Sequence, residues 1–294
     1  MKEVIILDSK ELSCPSVLIL VFKELCGAYL RRGYTLNICK NIYELRDNSI
    51  IFMGNFFHVK NPCKLLYSIA PNATYIGWYW HSQDTTLLKK FIHIYENILA
   101  DPPCNDKISI MKFYKNSNTS IPLYLRANDE PELIGTYERN IKRDYCYMGY
   151  TYGANLVPGT RFNGLYLATK IDKYMTYEER KIIYLSSIFA LGFQSDENIK
   201  NEHVSQRIYE GLAYGCIVLT NSMPAVLQTD CIAIYIQTKN DIEKVMDYYK
   251  LNPDKIKEKQ SQGYEFVKKT GTNVYSLTEI NKICEREFKE TIFN

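Results

Sequence analysis

Short apolar runs alternate with longer amphipathic stretches from one end of the chain to the other. "VIIL", Val4 to Leu7, reads as a buried strand, and "SVLILVFKELCGAYLRRG" as the helix after it, with Gly33 where a C-terminal cap belongs. "YTLNIC", Tyr34 to Cys39, and "SIIFMG", Ser49 to Gly54, are the next strands. "NPCKLLYSIA" is a short helix opened by Pro62, and "TYIGWYW", Thr74 to Trp80, is another strand. A helix from about Asp84 to His93 leads to a strand at "ENILA". Strands alternating with helices at this spacing predict an α/β fold, a parallel sheet with helices on both faces.

The pattern breaks at "RANDEPELIGTYERNIKRD", Arg126 to Asp144, which is charged, aperiodic and carries a proline. It reads as a connection, with the domain boundary near Asn140: residues 1–140 form one domain and 141–294 the other. Beyond it "YCYMGY" is a strand, and the loop "TYGANLVPGTRFNG" and a strand at "LYLAT" follow. Thr176 and Glu179 in "TYEERKIIYLSS" form a capping-box pattern that starts a helix. "IFALGF" is a strand. The helix of "SQRIYEGLAYG" runs from about Gln206 to Tyr214, with Ser205 as N-cap and Gly215 closing it, ahead of the strand "CIVLT". "NDIEKVMDYYKLNP", "KIKEKQSQGYEFVKKTG" and a segment from about Ser276 are the final helices. Two Rossmann-like halves with a cleft between them fit these elements, and ligands of such sheets lie beyond the carboxyl ends of the strands.

Composition changes this picture little. At 294 residues, 46% hydrophobic and 23% charged, the chain has the balance of a soluble globular protein. Thirty-six basic against thirty-three acidic residues leave a net charge of +3, and no Lys/Arg run resembles a nucleic-acid arm, so nucleic acid is not expected as a partner. The nine cysteines have no CxxC spacing, which fits a reducing compartment and a cytoplasmic location. The longest aliphatic run, "VLILVF", is far short of the roughly 20 residues of a spanning helix.

Common enzyme signatures are missing. No GxGxxG follows the first strand, no GxxxxGK[ST] or GxSxG occurs, and His58, His81, His93 and His203 lack metal-site spacing. No Asp-x-Asp is present to hold a metal-bound sugar nucleotide, so no metal and no cofactor is expected. What remains is "NEHVSQRIYEGLAYGCIVLTN", where Glu202 and Glu210 stand with seven residues between them. A helix N-terminus offers free backbone N–H groups and the positive end of its dipole to phosphate oxygens. Ser205 adds a hydroxyl there. Arg207 in the first turn runs against the dipole, which suits a guanidinium that serves an anion. Glu210, one turn further in, can accept from both ribose hydroxyls, and Glu202 can do the same for a sugar ring. The plain alternative is a solvated helix face.

"VSQRIYEGLAYG", Val204 to Gly215, fits V-S-x-R-x-x-E-x-L-x-x-G at every specified position. On these residues the chain resembles the GT-B glycosyltransferases, in the paired-glutamate, glycosyltransferase-like branch. The likeness runs from roughly Asp144 to Tyr275 and is only architectural over the first 140 residues. It implies two Rossmann-like domains with parallel sheets facing a central cleft, the acceptor on the first and a UDP- or GDP-linked sugar on the second. It implies that Glu210 binds the ribose, that Glu202 contacts the donor sugar and that backbone around Ser205 holds the diphosphate. Families with the paired glutamates mostly retain anomeric configuration. A basic pair early in the second domain of this fold class neutralises the diphosphate, and Arg161 and Lys170 have the right position. Gly149 lets a backbone loop approach the donor. In "WYWHSQD", His81 and Asp84 follow a strand and face the cleft, His81 as a donor or acceptor contact and Asp84 as a base or as the cap of the next helix. The implied activity is sugar transfer from a nucleoside-diphosphate sugar to a glycan or other hydroxyl acceptor, and the alternative is a sugar-nucleotide or glycan-binding protein without turnover.

Overall fold

The computed structural model describes residues 3–8, 23–25, 27, 35–53, 62–79, 107–112, 117–122, 126–148, 175–200 and 202–291. The chain divides into two compact units, residues 1–123 with 276–294, and residues 124–275.

In the first unit, strands β1 (Val4–Leu7), β2 (Leu36–Cys39), β3 (Ile50–Met53) and β4 (Thr74–Tyr79) pair in parallel, and helix α1 (Pro62–Ile69) precedes β4. All four residues of β1 are buried, as expected of a strand covered on both faces. The core is built from Ile5, Leu7, Ile51, Leu66 and Tyr75, and the Tyr75 hydroxyl is satisfied by the Ala70 carbonyl at 2.8 Å. The sheet is not purely parallel, which corrects the sequence reading. β5 (Lys107–Lys112) and β6 (Ser117–Pro122) are antiparallel and extend the order to β2-β1-β3-β4-β5-β6. Lys107 to Ile110 alternate polar and apolar residues at period two, as in a strand with one face toward a core.

In the second unit, β7 (Arg143–Cys146), β8 (Ser187–Leu191), β9 (Ile217–Thr220) and β10 (Ile234–Tyr235) are all parallel, in the order β10-β9-β8-β7. Helix α2 (Tyr177–Leu185) opens on the expected capping box, with Thr176 and Glu179 bonded both ways. The short α3 (Asp196–Lys200) precedes α4 (Gln206–Ala213), and α5 (Met223–Gln228) follows β9. α6 (Lys239–Leu251) begins at a second capping box, Thr238 with Asp241, and α7 (Pro253–Phe266) follows; α8 (Asn273–Ile283) starts in this unit and continues, from residue 276, into the first. Alternation along β9 sends Cys216 and Val218 to one core cluster and Ile217 and Leu219 to the other. Gly211 lets α4 approach the sheet, since a Cβ there would lie 2.8 Å from Val218 Cγ2.

The boundary expected near Asn140 falls instead at residue 124, and a second one lies at residue 276. Hydrogen bonding explains the first shift. Ala127 pairs with Gly271 and Asn273 through its N–H and carbonyl, at 3.0 and 2.8 Å, and Ile134 is buried in the second unit's core. A charged, aperiodic stretch is therefore integral to that unit. Among the described residues no helix is long and apolar enough to cross a membrane.

Candidate functional site

The expected helix is present at the expected place. α4 runs from Gln206 to Ala213 behind Ser205, whose extended backbone makes it the N-cap, and Gly215 beyond the helix takes φ of 76°. The Ser205 side chain does not cap the helix. Its hydroxyl accepts from Arg207 Nε at 2.9 Å instead. Arg207 Nη1 donates to the Phe193 carbonyl at 3.3 Å, and its guanidinium carbon lies 5.2 Å from the centre of the Tyr147 ring. Arg207 thus ties the first turn of α4 to the segment just past the carboxyl end of β8. The Ile208 N–H bonds back to the Ser205 carbonyl at 3.0 Å, and the amino end of α4, the positive end of its dipole, lies beside this cation.

The two glutamates occupy opposite environments. Glu202 is exposed and adopts φ of 53°. Its N–H bonds to the Ile199 carbonyl at 2.9 Å, and the His203 N–H bonds to the Asn198 carbonyl at 2.8 Å. This is the closing pattern of a helix end, in which the left-handed position normally belongs to Gly. A glutamate there costs the turn about 1 kcal/mol. Glu210 is 2% exposed and is held by Arg180, with Nη2 to Oε1 at 2.6 Å and Nε to Oε1 and Oε2 at 3.1 and 3.2 Å. Arg180 Nη1 also donates to the Met175 carbonyl at 3.0 Å.

A second polar group lies on the same side of the sheet. The Tyr214 hydroxyl donates to Asp129 Oδ2 at 3.0 Å and contacts the Tyr177 hydroxyl. Lys181 Nζ is 3.4 Å from the same carboxylate and 3.7 Å from the centre of the Tyr137 ring. Burial, then the negative charges of Asp129 and Glu210, push the Tyr177 hydroxyl far above the ordinary tyrosine range. Burial likewise raises Tyr184, with Glu210 adding to it. Two acids and two bases thus sit as balanced pairs in a largely apolar surrounding.

Of the residues singled out from the sequence, Ser205, Arg207 and Glu210 come together on the first two turns of α4, and Glu202 sits on the turn before it. His81, Asp84, Gly149, Arg161 and Lys170 lie outside the described residues. Sequence reasoning missed Arg180, Asp129 and Lys181. Arg180 is thirty residues from Glu210, and no local spacing connects them.

Residues 144–282, just under half of the chain, match the glycosyl transferase-like family model. No curated protein sequence matches the chain. Solved structures do. An alpha-glucosyltransferase in complex with UDP aligns at TM-score 0.60 and 12% identity, covering 96% of this chain and 99% of that one. An alpha-glucosyltransferase with UDP and a 13-mer DNA containing a HMU base aligns at TM-score 0.58 and 11% identity, covering 96% and 98%. One with UDP-glucose and DNA containing an abasic site aligns at TM-score 0.56 and 12% identity, covering 96% and 98%. The exclusion of nucleic acid drawn from a net charge of +3 is corrected by these relatives, since enzymes on this fold are bound to DNA. Net charge is an average over the surface and does not limit a local patch. The chain therefore has the α/β GT-B fold of two Rossmann-like units and is similar over residues 144–282 to the glycosyl transferase-like family.

Proposed function

We propose that this protein transfers a hexose from a UDP-linked donor to a hydroxyl group, that of a nucleic acid being the first acceptor to test, with retention of anomeric configuration and without a metal ion. The observation that carries this reading is the Glu202 to Glu210 segment, an α-helix N-terminus with a cation in its first turn, inside the residues that match the glycosyl transferase-like model. The diphosphate docks at the amino end of α4, the positive end of the helix dipole, next to Arg207. Glu210 meets the ribose hydroxyls and Glu202 the donor sugar. As the acceptor oxygen bonds to the anomeric carbon, the bond from that carbon to the diphosphate breaks. UDP leaves with the electron pair, and the acceptor proton passes to solvent or a base. Fixed dipoles and Arg207 stabilise the charge that grows on the leaving group. Glycosyltransferase structures with UDP, UDP-glucose and DNA on the same fold support the choice of donor and acceptor.

The experiment is titration of the purified protein with UDP and GDP by calorimetry. An assay of UDP release from UDP-glucose follows, with DNA, RNA or oligosaccharide present and with or without EDTA. UDP binding and acceptor-dependent UDP release that survives EDTA are expected, with the release weakened about tenfold or more in Glu202→Gln and UDP binding left within about twofold. Absence of any nucleoside-diphosphate binding sinks the reading. A second reading has one observation in its favour: Arg180 already engages both oxygens of Glu210. Tight UDP binding without release of UDP from any donor identifies the protein as a donor-binding module without turnover.

A further inference from the structure

Just past the carboxyl end of β8, the chain runs Gly192, Phe193, Gln194, Ser195. The backbone of Gln194 is clasped from both sides by one side chain: its N–H donates to Asn221 Oδ1 at 2.9 Å, and its carbonyl accepts from Asn221 Nδ2 at 2.9 Å. Thr220 Oγ1 anchors the same segment through the Gly192 carbonyl at 2.9 Å. α4 presses on it from the other direction. A Cβ on Gly192 would lie 2.2 Å from Ile208 Cδ1, and Arg207 holds the Phe193 carbonyl. The Gln194 backbone is thereby fixed in place beside the first turn of α4.

Its side chain is not accounted for. Gln194 is 4% exposed, and among the described residues neither Oε1 nor Nε2 has a hydrogen-bond partner. Burying an amide with both ends unsatisfied opposes folding. Gln194 also differs from its neighbours, since Thr220, Asn221 and Ser222 are equally buried and all hydrogen-bonded. A position that costs the fold, on a rigid backbone at the carboxyl end of a parallel strand, is where a ligand contact is expected.

We infer that Gln194 is a specificity-determining residue whose amide hydrogen-bonds the hydroxyls of the donor's hexose. The chemistry selects this partner. A phosphate oxygen only accepts, so it would leave Oε1 unsatisfied. A pair of sugar hydroxyls both donates and accepts and so satisfies both ends of the amide. Position agrees, because the diphosphate at the first turn of α4 carries the hexose next to the segment that Arg207 ties down. This inference rests on the donor reading above and deepens it.

The test is Gln194→Met, which keeps side-chain length and removes both polar atoms. Thermal unfolding is compared with calorimetric titration by UDP and by UDP-glucose. The expected result is a Tm that holds or rises by a few degrees, UDP affinity within twofold of wild type, and UDP-glucose affinity reduced about tenfold or more. A raised Tm with both affinities unchanged makes Gln194 a buried amide out of the ligand's reach and overturns the inference. A lowered Tm with both affinities lost makes it a fold-holding residue and overturns it equally. If the wild-type protein binds neither UDP nor UDP-glucose, the donor reading itself has failed, an outcome separate from the other two.

Discussion

The two faces of the β7–β10 sheet are built by different rules. On one, Phe189, Leu191, Ile217 and Leu219 meet Phe193, Ile242 and Met246 in a cluster of apolar side chains. On the other, Ala190, Cys216 and Val218 lie under Tyr184, Ile208, Tyr209 and Leu212, and the ion pairs Arg180–Glu210 and Lys181–Asp129 are set into that side. Burial of apolar area is enough to hold the first face. The second also holds four charges, whose desolvation roughly cancels the attraction within each pair. Ionic pairs in a core are a weak source of stability, so their presence on the face that carries α4 points to a need for fixed geometry there. Arg180 fixes Glu210 in position while α4 presents its amino end past the strands.

The sharpest way to break the comparison is truncation on each face. Phe189→Ala empties a fully buried position and should cost about 4 kcal/mol, with no single partner able to compensate. Glu210→Ala removes the carboxylate that Arg180 grips and should cost about 3 kcal/mol, at the low end for a buried pair because the Arg180 side chain keeps 16% exposure. The faces then part company. Arg180→Met with Glu210→Leu should recover most of the loss in urea unfolding, because replacing both charges removes their desolvation. A double variant no more stable than Glu210→Ala would mean that the pair itself stabilises the fold, and the contrast between the faces would be lost.

Alkaline pH should act on one face ahead of the other. Tyr177 and Tyr184 have hydroxyls pushed well above their ordinary range by burial and by the nearby acids. A pKa raised in the folded state means the native protein keeps protons that the unfolded chain has lost. The contribution is complete below about pH 10 and falls away above it, by about 1.4 kcal/mol per tyrosine per pH unit. Between pH 10 and 11 the second unit should lose about 2 kcal/mol from these two groups, because an unfolded tyrosine is already half ionised at about pH 10. Urea midpoints followed across that range check the slope, and the Tyr177→Phe and Tyr184→Phe double variant should reduce it, leaving the part due to Tyr137, Tyr249 and Tyr264, which burial also raises.

What could be read from the sequence follows from how local each feature is. The limits of β1, the capping box at Thr176 and the span of α4 depend on residues within a few positions of one another, and periodicity and cap chemistry reveal them. Arg207 was read as a cation placed for an anion, but its bonds to Ser205 and Phe193 and its stacking on Tyr147 depend on tertiary placement. Arg180 reaches Glu210 across thirty residues, and Tyr214 reaches Asp129 across eighty-five, so neither pairing has a spacing to detect. Charge and a proline made Arg126 to Asp144 look like a linker, although Asp129, Ile134 and Arg139 are used inside the second unit. Gln194 illustrates the same limit: a glutamine after a strand attracts no notice until both ends of its amide are found buried.

The smallest effect isolates one atom on the ionic face. The Tyr184 ring is buried and stacked on Tyr214 at 6.0 Å between centres, with 25° between the planes. Among the described residues its hydroxyl has no hydrogen-bond partner. Tyr184→Phe keeps the ring, its stacking and its volume almost unchanged and removes only the stranded polar group. The variant should therefore be more stable by about 1 kcal/mol, a rise in Tm of about 2–4 °C, and should show about half the alkaline loss described above. A hydroxyl satisfied by an internal water reverses the sign, because Phe would then strand that water's hydrogen bonds, and a lowered Tm would show it. The outcome decides whether the face carrying α4 holds only balanced pairs, or tolerates an unsatisfied group beside Glu210 as it does at Gln194.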